Sequence, residues 1–315
     1  MSTNTAEQSQ KPLPQSLLEA ILYFSDLDVA TEYVAKLRWP HGPVCPRCGC
    51  MEYSYLTTRR VWKCKACKKQ YSVKVGTIFE DSPLGLGKWL PAVWLAANSK
   101  NGISSHELGR ALGVTQKSAW FMLHRIRLAM KTGSLLKLSG AVEADEAYIG
   151  GKARNMHEVD RERKGVAQGG SGKTPVLGIR QRDGAVVAAV VPNANKRSLQ
   201  AEIHHAVRRG STVYTDAHTG YIGLDSDFEH QVIDHAEKYV EGRVHTNGIE
   251  NFWSCLKRGL HGTYISVEPF HLFRYLDERV FTYNERGMTD LGRFSAVLGA
   301  ISDRRLTYAA LISAD

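Results

Sequence analysis

The stretch AVEADEAYIG, residues 141–150, decides the fold of the carboxyl-terminal half of this chain. Its Val, Tyr and Ile residues predict a β-strand, although the strand contains Asp145, a residue type that strands disfavour. Glu143 lies two residues earlier and therefore on the same predicted strand face. The runs TPVLGIRQ, AVVAAVVP and STVYTD are also typical of strands, and a helix is predicted over residues 196–209. This order favours a mixed α/β sheet.

Two further carboxylates follow the strand of Asp145 along the chain. The run STVYTD ends in Asp216, which would point out of the carboxyl edge of the sheet, where ligand sites gather. The run NGIENFWSCLKRG predicts a helix that carries Glu250 in its first turn. Taken singly, Glu250 is typical of a capping box with Asn247 as the cap, and each aspartate of a strand-end cap or a solvated charge.

The three carboxylates together favour a metal site. If they converge at one end of the sheet, they offer the hard oxygen ligands that Mg²⁺ and Mn²⁺ prefer. Two such ions, about 4 Å apart, are suited to chemistry at a phosphodiester. Lys257 lies seven residues after Glu250, on the same helix face and about 10 Å along the axis, so it would hold a backbone phosphate beside the metals.

The six cysteines of the chain include four with the spacing of a zinc site. Cys45-x2-Cys48 is followed, after fifteen residues, by Cys64-x2-Cys67. Four thiolates form a closed tetrahedral shell, which predicts one structural Zn²⁺. Residues 41–75 are too polar to bury a core alone, so the metal would supply their folding energy. Two unrelated CxxC pairs, or a redox pair, are the alternatives.

Residues 102–131 predict two helices joined by a short turn. Ser104 or Ser105 would cap the first, Gly113 would close it, and Thr115 would cap a second helix that runs to about Met130. This arrangement is typical of a helix-turn-helix, although an ordinary helical hairpin has the same pattern. The side chains predicted to contact DNA are Gln116, Lys117, Trp120, Arg125 and Lys257, and His124 and Arg127 are further expected phosphate contacts.

Composition fits a globular protein with a polyanionic partner. The chain has 43% hydrophobic and 23% charged residues and a formal net charge of +9. It contains no apolar run of the roughly 20 residues that a membrane helix needs, and residues 1–16 lack the apolar core of a signal peptide. We expect a cytoplasmic, nucleoid-associated protein with reduced thiols and no membrane partner.

The motifs VEADEAYIGG, VYTDAHTGY and HTNGIENFWSCLKRG, preceded by CPRCGC and CKACKKQYSVKVGTIFEDS, resemble a known family. The chain is similar to the DDE transposases of bacterial insertion sequences, in the zinc-ribbon branch related to the Merlin group. The likeness covers about residues 20–286. It implies a ribonuclease-H-like catalytic domain, with a five-stranded mixed sheet and flanking helices, preceded by the zinc ribbon and the helix-turn-helix.

The resemblance also implies the site and its chemistry. Asp145, Asp216 and Glu250 correspond to the catalytic triad that binds two Mg²⁺ or Mn²⁺ ions, and Lys257 to the accompanying basic residue. The implied activity is binding of terminal inverted repeats, followed by Mg²⁺-dependent strand cleavage and strand transfer. The expected partners are double-stranded DNA, as element ends and target, and further copies of this chain.

The resulting division of the chain has five parts. They are a disordered lead (1–16), short helices with the zinc ribbon (17–80), the helix-turn-helix (81–135), the catalytic domain (136–290) with a basic insertion (151–174), and a C-terminal tail (291–315). Two other functions fit parts of the pattern. One is a metal-dependent nuclease on the same fold, and the other is a domesticated DNA-binding regulator with an inactive catalytic domain.

Overall fold

A computed structural model describes residues 12–131, 137–151, 172–233 and 246–313 of the chain. Most of the predicted lead and most of the predicted basic insertion lie outside these ranges. None of the helices within them is long and apolar enough to cross a membrane.

The amino-terminal half is mainly helical with three short strands, and the carboxyl-terminal half combines five strands with helices. The helices are α1 (Leu17–Phe24), α2 (Leu27–Arg38), α3 (Leu86–Asn98), α4 (Ser105–Leu112), α5 (Gln116–Met130), α6 (Lys196–Ala206), α7 (Asn247–Gly259), α8 (Leu272–Asn284), α9 (Asp290–Gly299) and α10 (Tyr308–Ile312). The strands are β1 (Tyr53–Leu56), β2 (Val61–Cys64), β3 (Gln70–Tyr71), β4 (Ala141–Ile149), β5 (Thr174–Gln181), β6 (Val186–Val190), β7 (Thr212–Asp216) and β8 (Glu229–Ile233).

Five strands form the mixed sheet that was predicted for the carboxyl-terminal half. Their spatial order is β6-β5-β4-β7-β8. The pairs β6–β5 and β5–β4 are antiparallel, whereas β4–β7 and β7–β8 are parallel. The strand that contains Asp145 is therefore central, and the strand that ends in Asp216 lies directly beside it.

The two faces of this sheet pack against different helices. On one face, alternate residues such as Val142 and Leu177 form a core with Leu199 of α6. On the other, Val176 packs with Phe252 of α7 and with residues of α8. Because side chains alternate along a strand, Asp145 points to the α7 side.

The amino-terminal half has its own core, which the end of the chain completes. Phe24 of α1 and Trp94 of α3 both pack against the ring of Phe294 in α9, with ring centroids 5.6 and 5.1 Å apart. The same core includes Trp62 and Cys64 of the small β1-β2-β3 sheet. The cysteine-rich module therefore shares a hydrophobic core with the helices of the amino-terminal half.

Helices α4 and α5 begin and end where their capping residues predict. Ser104 and Thr115 accept hydrogen bonds from the amides of Glu107 and Ser118, and Gly113 closes α4 with a positive φ of 60°. Glycine adopts this left-handed conformation without the steric cost of a Cβ atom. The turn between the two helices is therefore determined locally.

Candidate active site and metal centre

Asp145 and Asp216 are brought side by side by the parallel pairing of β4 with β7. Val142 pairs with Val213 and Glu143 with Tyr214, so continuation of this register by two residues places Asp145 beside Asp216. Both side chains lie on the α7 side of the sheet, and both are half-buried. Two carboxylates therefore meet where the end of β7 lies beside the middle of β4.

The indole of Trp253, on α7, covers the Asp145 carboxylate. Trp253 Nε1–H donates to Asp145 Oδ2 at 2.8 Å. Asp145 pairs across the sheet with Gly178, and a Cβ atom on Gly178 would lie 2.6 Å from the Trp253 ring. The missing side chain at Gly178 is what gives the indole room beside the carboxylate.

Burial raises the pKa of Asp145 to about 6. The nearby carboxylates of Glu146 and Asp216 also raise this pKa, whereas the hydrogen bond from Trp253 lowers it. Negative charges that crowd in a half-buried position favour a cation between them. The oxygen-only donors and their mutual repulsion fit a divalent ion such as Mg²⁺ or Mn²⁺.

A second layer of polar groups holds Glu146 beside the aspartates. The Tyr221 hydroxyl donates to Glu146 Oε2 at 2.5 Å, and His218 Nε2 lies 3.7 Å from Glu146 Oε1. The amide of His218 donates to Asp216 Oδ1 at 3.0 Å. Burial and then the Glu146 carboxylate raise the pKa of Tyr221, so its hydroxyl stays a donor. The segment after β7 therefore orients both Asp216 and Glu146.

Helix α7 carries both Glu250 and Lys257, and both are exposed. Glu250 is one turn before Trp253, so it lies on the side of the helix from which the indole reaches Asp145. In the described ranges, the only group of three or more possible metal ligands whose ligand atoms all lie within 4.8 Å is a set of four cysteines. Glu250 therefore lies on the helix above the aspartate pair without closing into a tight triad with it.

The capping box predicted for Asn247 does not form. Asn247 is the first residue of α7, Thr246 is the N-cap, and its side chain makes no capping bond. Instead, the amide of Ile249 donates to Glu143 Oε2 at 2.9 Å. Glu143 is fully buried and accepts from Arg182 Nε at 3.1 Å. A carboxylate from β4 thus satisfies the helix start, which fixes α7 to the sheet.

The four predicted zinc ligands converge in the small sheet. The sulfurs of Cys45 and Cys67 are 3.7 Å apart, and those of Cys48 and Cys64 are 3.6 Å apart. All four sulfurs lie within 4.8 Å of one another. Tetrahedral Zn–S bonds of about 2.3 Å require sulfurs about 3.8 Å apart, so the four thiols fit one Zn²⁺. Backbone amides of Cys67 and Ala66 lower the pKa of Cys64 to about 6, which favours the thiolate that binds metal.

Comparisons with known proteins agree with this geometry. Residues 137–284 match the family model of the ISXO2-like transposase domain, and residues 26–70 match that of the transposase zinc-ribbon domain. The chain is 30% identical, over 246 residues, to an uncharacterized protein in the transposable element ISH50 of Halobacterium salinarum, with 73% of this chain and 82% of that protein covered. It is 36% identical over 100 residues to an uncharacterized transposase-like protein of Haemophilus influenzae, with 31% of this chain and 80% of that protein covered.

The chain belongs to the ISXO2-like family of DDE transposases. The zinc-ribbon match spans Cys45, Cys48, Cys64 and Cys67, and their clustered sulfurs fit metal binding. The transposase-domain match spans β4, β7 and α7 and contains Asp145, Asp216 and Glu250.

Three side chains of this transposase that were predicted to contact DNA lie at the start of α5. Gln116 and Lys117 are exposed, and Trp120 is half-buried. Gln116 Nε2 donates to Ser105 Oγ at 2.8 Å, and Lys117 Nζ lies 4.9 Å from the centre of the Tyr308 ring. The polar ends of Gln116 and Lys117 therefore lie near the surface, at positions that a DNA molecule would be able to reach.

Arg125, also predicted to contact DNA, is instead buried and holds the structure together. Its side chain donates to the carbonyl oxygens of Leu306, Ile78 and Glu80 at 3.0, 3.0 and 2.7 Å. Only 4% of the residue is exposed. A guanidinium committed to three backbone acceptors in the interior is not positioned to reach a phosphate.

Arg127 and His124, the further expected phosphate contacts, are buried as well. Arg127 Nε donates to Glu278 Oε2 of α8 at 2.6 Å, and both side chains are almost fully covered. The ring of His124 packs against that of His271, with centroids 4.7 Å apart. Burial lowers the pKa of His124 to about 2, so the ring is neutral. These residues of α5 join the amino-terminal half to α8.

Trp253, Glu146 and Tyr221 also belong to the candidate site, although the sequence did not predict them there. One signal was available, because Gly178 interrupts an otherwise regular strand, and a glycine inside a strand marks the close approach of another group. The contact between Tyr221 and Glu146 joins residues 75 positions apart, and no local pattern indicates it.

Proposed function

We propose that this family member is an active transposase of a bacterial insertion sequence. It would bind the terminal inverted repeats of the element and catalyse Mg²⁺-dependent strand cleavage and strand transfer. The observation that carries the proposal is the proximity of Asp145 and Asp216 on adjacent parallel strands, beneath the helix that carries Glu250. A transposase family model over the same residues supports it.

The catalytic domain is proposed to be ribonuclease-H-like. A five-stranded sheet in the order β6-β5-β4-β7-β8, with its first strand at the centre and helices on both faces, supports this assignment. In this proposal the domain spans residues 136–290, after the zinc-ribbon region (17–80) and the helix-turn-helix (81–135). The zinc ribbon and the start of α5, with Gln116, Lys117 and Trp120, would contact the element ends.

The carboxylates of Asp145, Asp216 and Glu250 are proposed to hold the reacting phosphodiester through divalent cations. When bound, two Mg²⁺ or Mn²⁺ ions supply Lewis acidity at the scissile phosphate. The chain itself orients the carboxylates, with Trp253 fixing Asp145 and the His218 amide fixing Asp216. Lys257 would hold a backbone phosphate two helical turns from Glu250.

Assembly and location follow from the proposed reaction. Two element ends must be joined, so we propose that the protein is a homo-oligomer when it is bound to DNA. Its substrate would be the DNA of the nucleoid, in the cytoplasm.

The test is a joining assay with defined products. Full-length protein is incubated with DNA that carries the ends of its own element, a target plasmid and Mg²⁺, and joined molecules are sequenced. The proposal predicts element ends covalently joined to target DNA. Cleavage without joining would identify a nuclease, and specific end binding without cleavage would identify a DNA-binding regulator; either result would overturn the proposal.

A further inference from the structure

A basic pocket of about 520 Å³ lies beside α7, on a different side of that helix from Trp253. Its walls come from the end of α3, from α7 and α8, and from α9. The cationic residues that line it are Lys100, Arg258, Arg279, Arg286 and Arg293. In the parts of the chain that the structure describes, no carboxylate lines the pocket. A cavity of this size is in the range of ligand-binding sites.

Arg279, in the wall of this pocket, is buried with part of its guanidinium unpaired. Only 4% of the residue is exposed. NH2 donates to the carbonyl oxygen of Lys100 at 2.6 Å, but Nε and NH1 have no hydrogen-bond acceptor among the described residues. A buried cation without an anionic partner is costly, and native structures rarely keep one without a function.

Of the cations that line the pocket, only Arg293 has a carboxylate partner among the described residues. Arg293 is paired with Asp290, at 2.5 Å, and is also anchored by Asn98 Oδ1 at 2.8 Å. Arg286 packs over the Tyr283 ring, 4.4 Å from its centre. Within the described ranges, no ion pair engages Arg258, Arg279 or Arg286. The pocket therefore has a surplus of positive charge that no carboxylate of the described residues balances.

We infer that this pocket binds a backbone phosphate of the DNA strand that is bound at the active site. This inference rests on the proposed function. Arginine guanidinium groups donate charge-assisted hydrogen bonds to phosphate oxygens, and Nε and NH1 of Arg279 have no acceptor among the described residues. Asn251, Thr282 and Tyr283 line the same cavity, where the Tyr283 hydroxyl donates to Asn251 Oδ1 at 3.3 Å and the Thr282 hydroxyl donates to the carbonyl oxygen of Glu278 at 2.9 Å.

The position of the pocket fits a strand that continues from the scissile phosphate. Asn251 directly follows Glu250, and Arg258 directly follows Lys257, so the pocket side of α7 is rotated by about 100° from the catalytic side. From Glu250 to Arg258 the helix rises about 12 Å. That length corresponds to roughly three to four nucleotides at about 3.4 Å each, so the bound phosphate would be a few nucleotides from the reacting one.

The experiment measures how DNA affinity depends on salt. Each phosphate contact contributes about 0.9 to the slope of log affinity against log salt concentration. Full-length wild type, Arg279→Gln, the rim variant Arg258→Gln/Arg286→Gln and the control Arg197→Gln are titrated onto labelled element-end duplex without Mg²⁺. Arg197 is an exposed cation on α6, across the sheet from α7, so its removal changes net charge without touching the pocket.

The expected result is a slope lower by about 1 in Arg279→Gln and in the rim variant, with weaker binding, and an unchanged slope in Arg197→Gln. If Arg279→Gln does not fold, the rim variant decides, because its two residues are exposed. Wild-type slopes in the pocket variants, or an equal loss in the control, would overturn the inference and leave the proposed function standing. A wild type that binds no DNA would overturn both.

A second arm distinguishes a free anion from DNA. Inorganic phosphate is added at constant ionic strength, and the thermal midpoint of each protein is compared with that in chloride. Phosphate should stabilise the wild type more than it stabilises Arg279→Gln. The same variant should show the lower salt slope of DNA binding. Stabilisation by phosphate without any change in DNA slope would assign the pocket to a small oxyanion and overturn the DNA inference.

Discussion

At the residue scale, function and stability conflict at buried carboxylates. Burial, and then the nearby carboxylates of Glu146 and Asp216, raise the pKa of Asp145, and a bound cation would stabilise its charged form. A second carboxylate with a raised pKa, Asp277 of α8, is not among the proposed metal ligands. Burial raises its pKa to about 6, although Lys131, Arg274 and Arg304 lower it in part.

Asp277 gives a prediction for stability against pH. Because its folded pKa is raised, its contribution is most favourable below the unfolded value of about 4 and is lost as the pH rises through about 6. Asp277→Asn removes this dependence. The free energy of unfolding of the variant minus that of the wild type should therefore be larger at pH 8 than at pH 4. The increase should be at most about 3 kcal/mol. Chemical denaturation at the two pH values measures this difference, and a wild-type pH dependence in the variant would contradict the assignment.

At the element scale, α7 depends on the contact between its first turn and the sheet. A Cβ atom on Gly248 would lie 1.7 Å from Arg180 NH1 and 2.6 Å from Glu143 Oε2. A side chain at residue 248 would therefore have to displace the ends of the Arg180 and Glu143 side chains, which form an ion pair beside the helix start. Since the same helix carries Glu250 and Trp253, its position decides the geometry around Asp145.

Gly248→Ala should consequently displace the start of α7. We expect a loss of about 1–3 kcal/mol in the free energy of unfolding, which is typical of overpacking, together with a large loss of strand cleavage. The control is Gly262→Ala, just after α7, where an added Cβ atom meets nothing within 4 Å. Thermal unfolding and a cleavage assay measure both effects. Equal behaviour of the two variants would show that the helix start tolerates a side chain.

Elements whose signals are local could be predicted from the sequence, and contacts between distant segments could not. Ser104, Gly113 and Thr115 define α4 and α5 because caps act within a few residues. The strands that contain Asp145 and Asp216 follow from their β-rich runs and end signals. Arg125 was assigned to DNA because a cation on a helix usually faces solvent. Its actual partners include the carbonyl oxygen of Leu306, 181 residues away.

The same limit applies to the candidate site. The cysteine spacing was sufficient to predict that the four sulfurs cluster, since two CxxC pairs can meet in few ways. Glu143 was expected only to share a face with Asp145, but it binds the amide of Ile249, 106 residues away. The helix start looked like a self-contained capping box because sequence patterns do not show a carboxylate that arrives from a strand.

At the scale of the whole molecule, the zinc ribbon is coupled to the helical core. Cys45 and Cys64 belong to the same buried cluster as Trp89 of α3 and Phe294 of α9. Trp39, which follows α2, packs edge-on against Trp62 of the ribbon, with centroids 5.2 Å apart. Loss of the metal should therefore loosen more than the small sheet.

Loss of a predicted zinc ligand is expected to lower both the zinc content and the thermal stability of the protein. Wild type should contain about one Zn²⁺ per chain, and Cys64→Ser should release it, lower the thermal midpoint and change tryptophan fluorescence through Trp39 and Trp62. The control is Cys50→Ser, because Cys50 is not part of the four-sulfur cluster. Metal analysis and thermal scans provide the readouts. Full zinc content in Cys64→Ser would contradict the ribbon.

The most direct test of the central claim compares single carboxylate variants in Mg²⁺-dependent cleavage of element ends. Asp145→Asn, Asp216→Asn and Glu250→Gln should each lower the cleavage rate by roughly a hundredfold or more while end binding persists. The control is Glu229→Gln, an exposed carboxylate at the start of β8, which should cleave like the wild type. Cleavage at the wild-type rate by any of the three variants, with folding intact, would contradict the claim that these carboxylates act together.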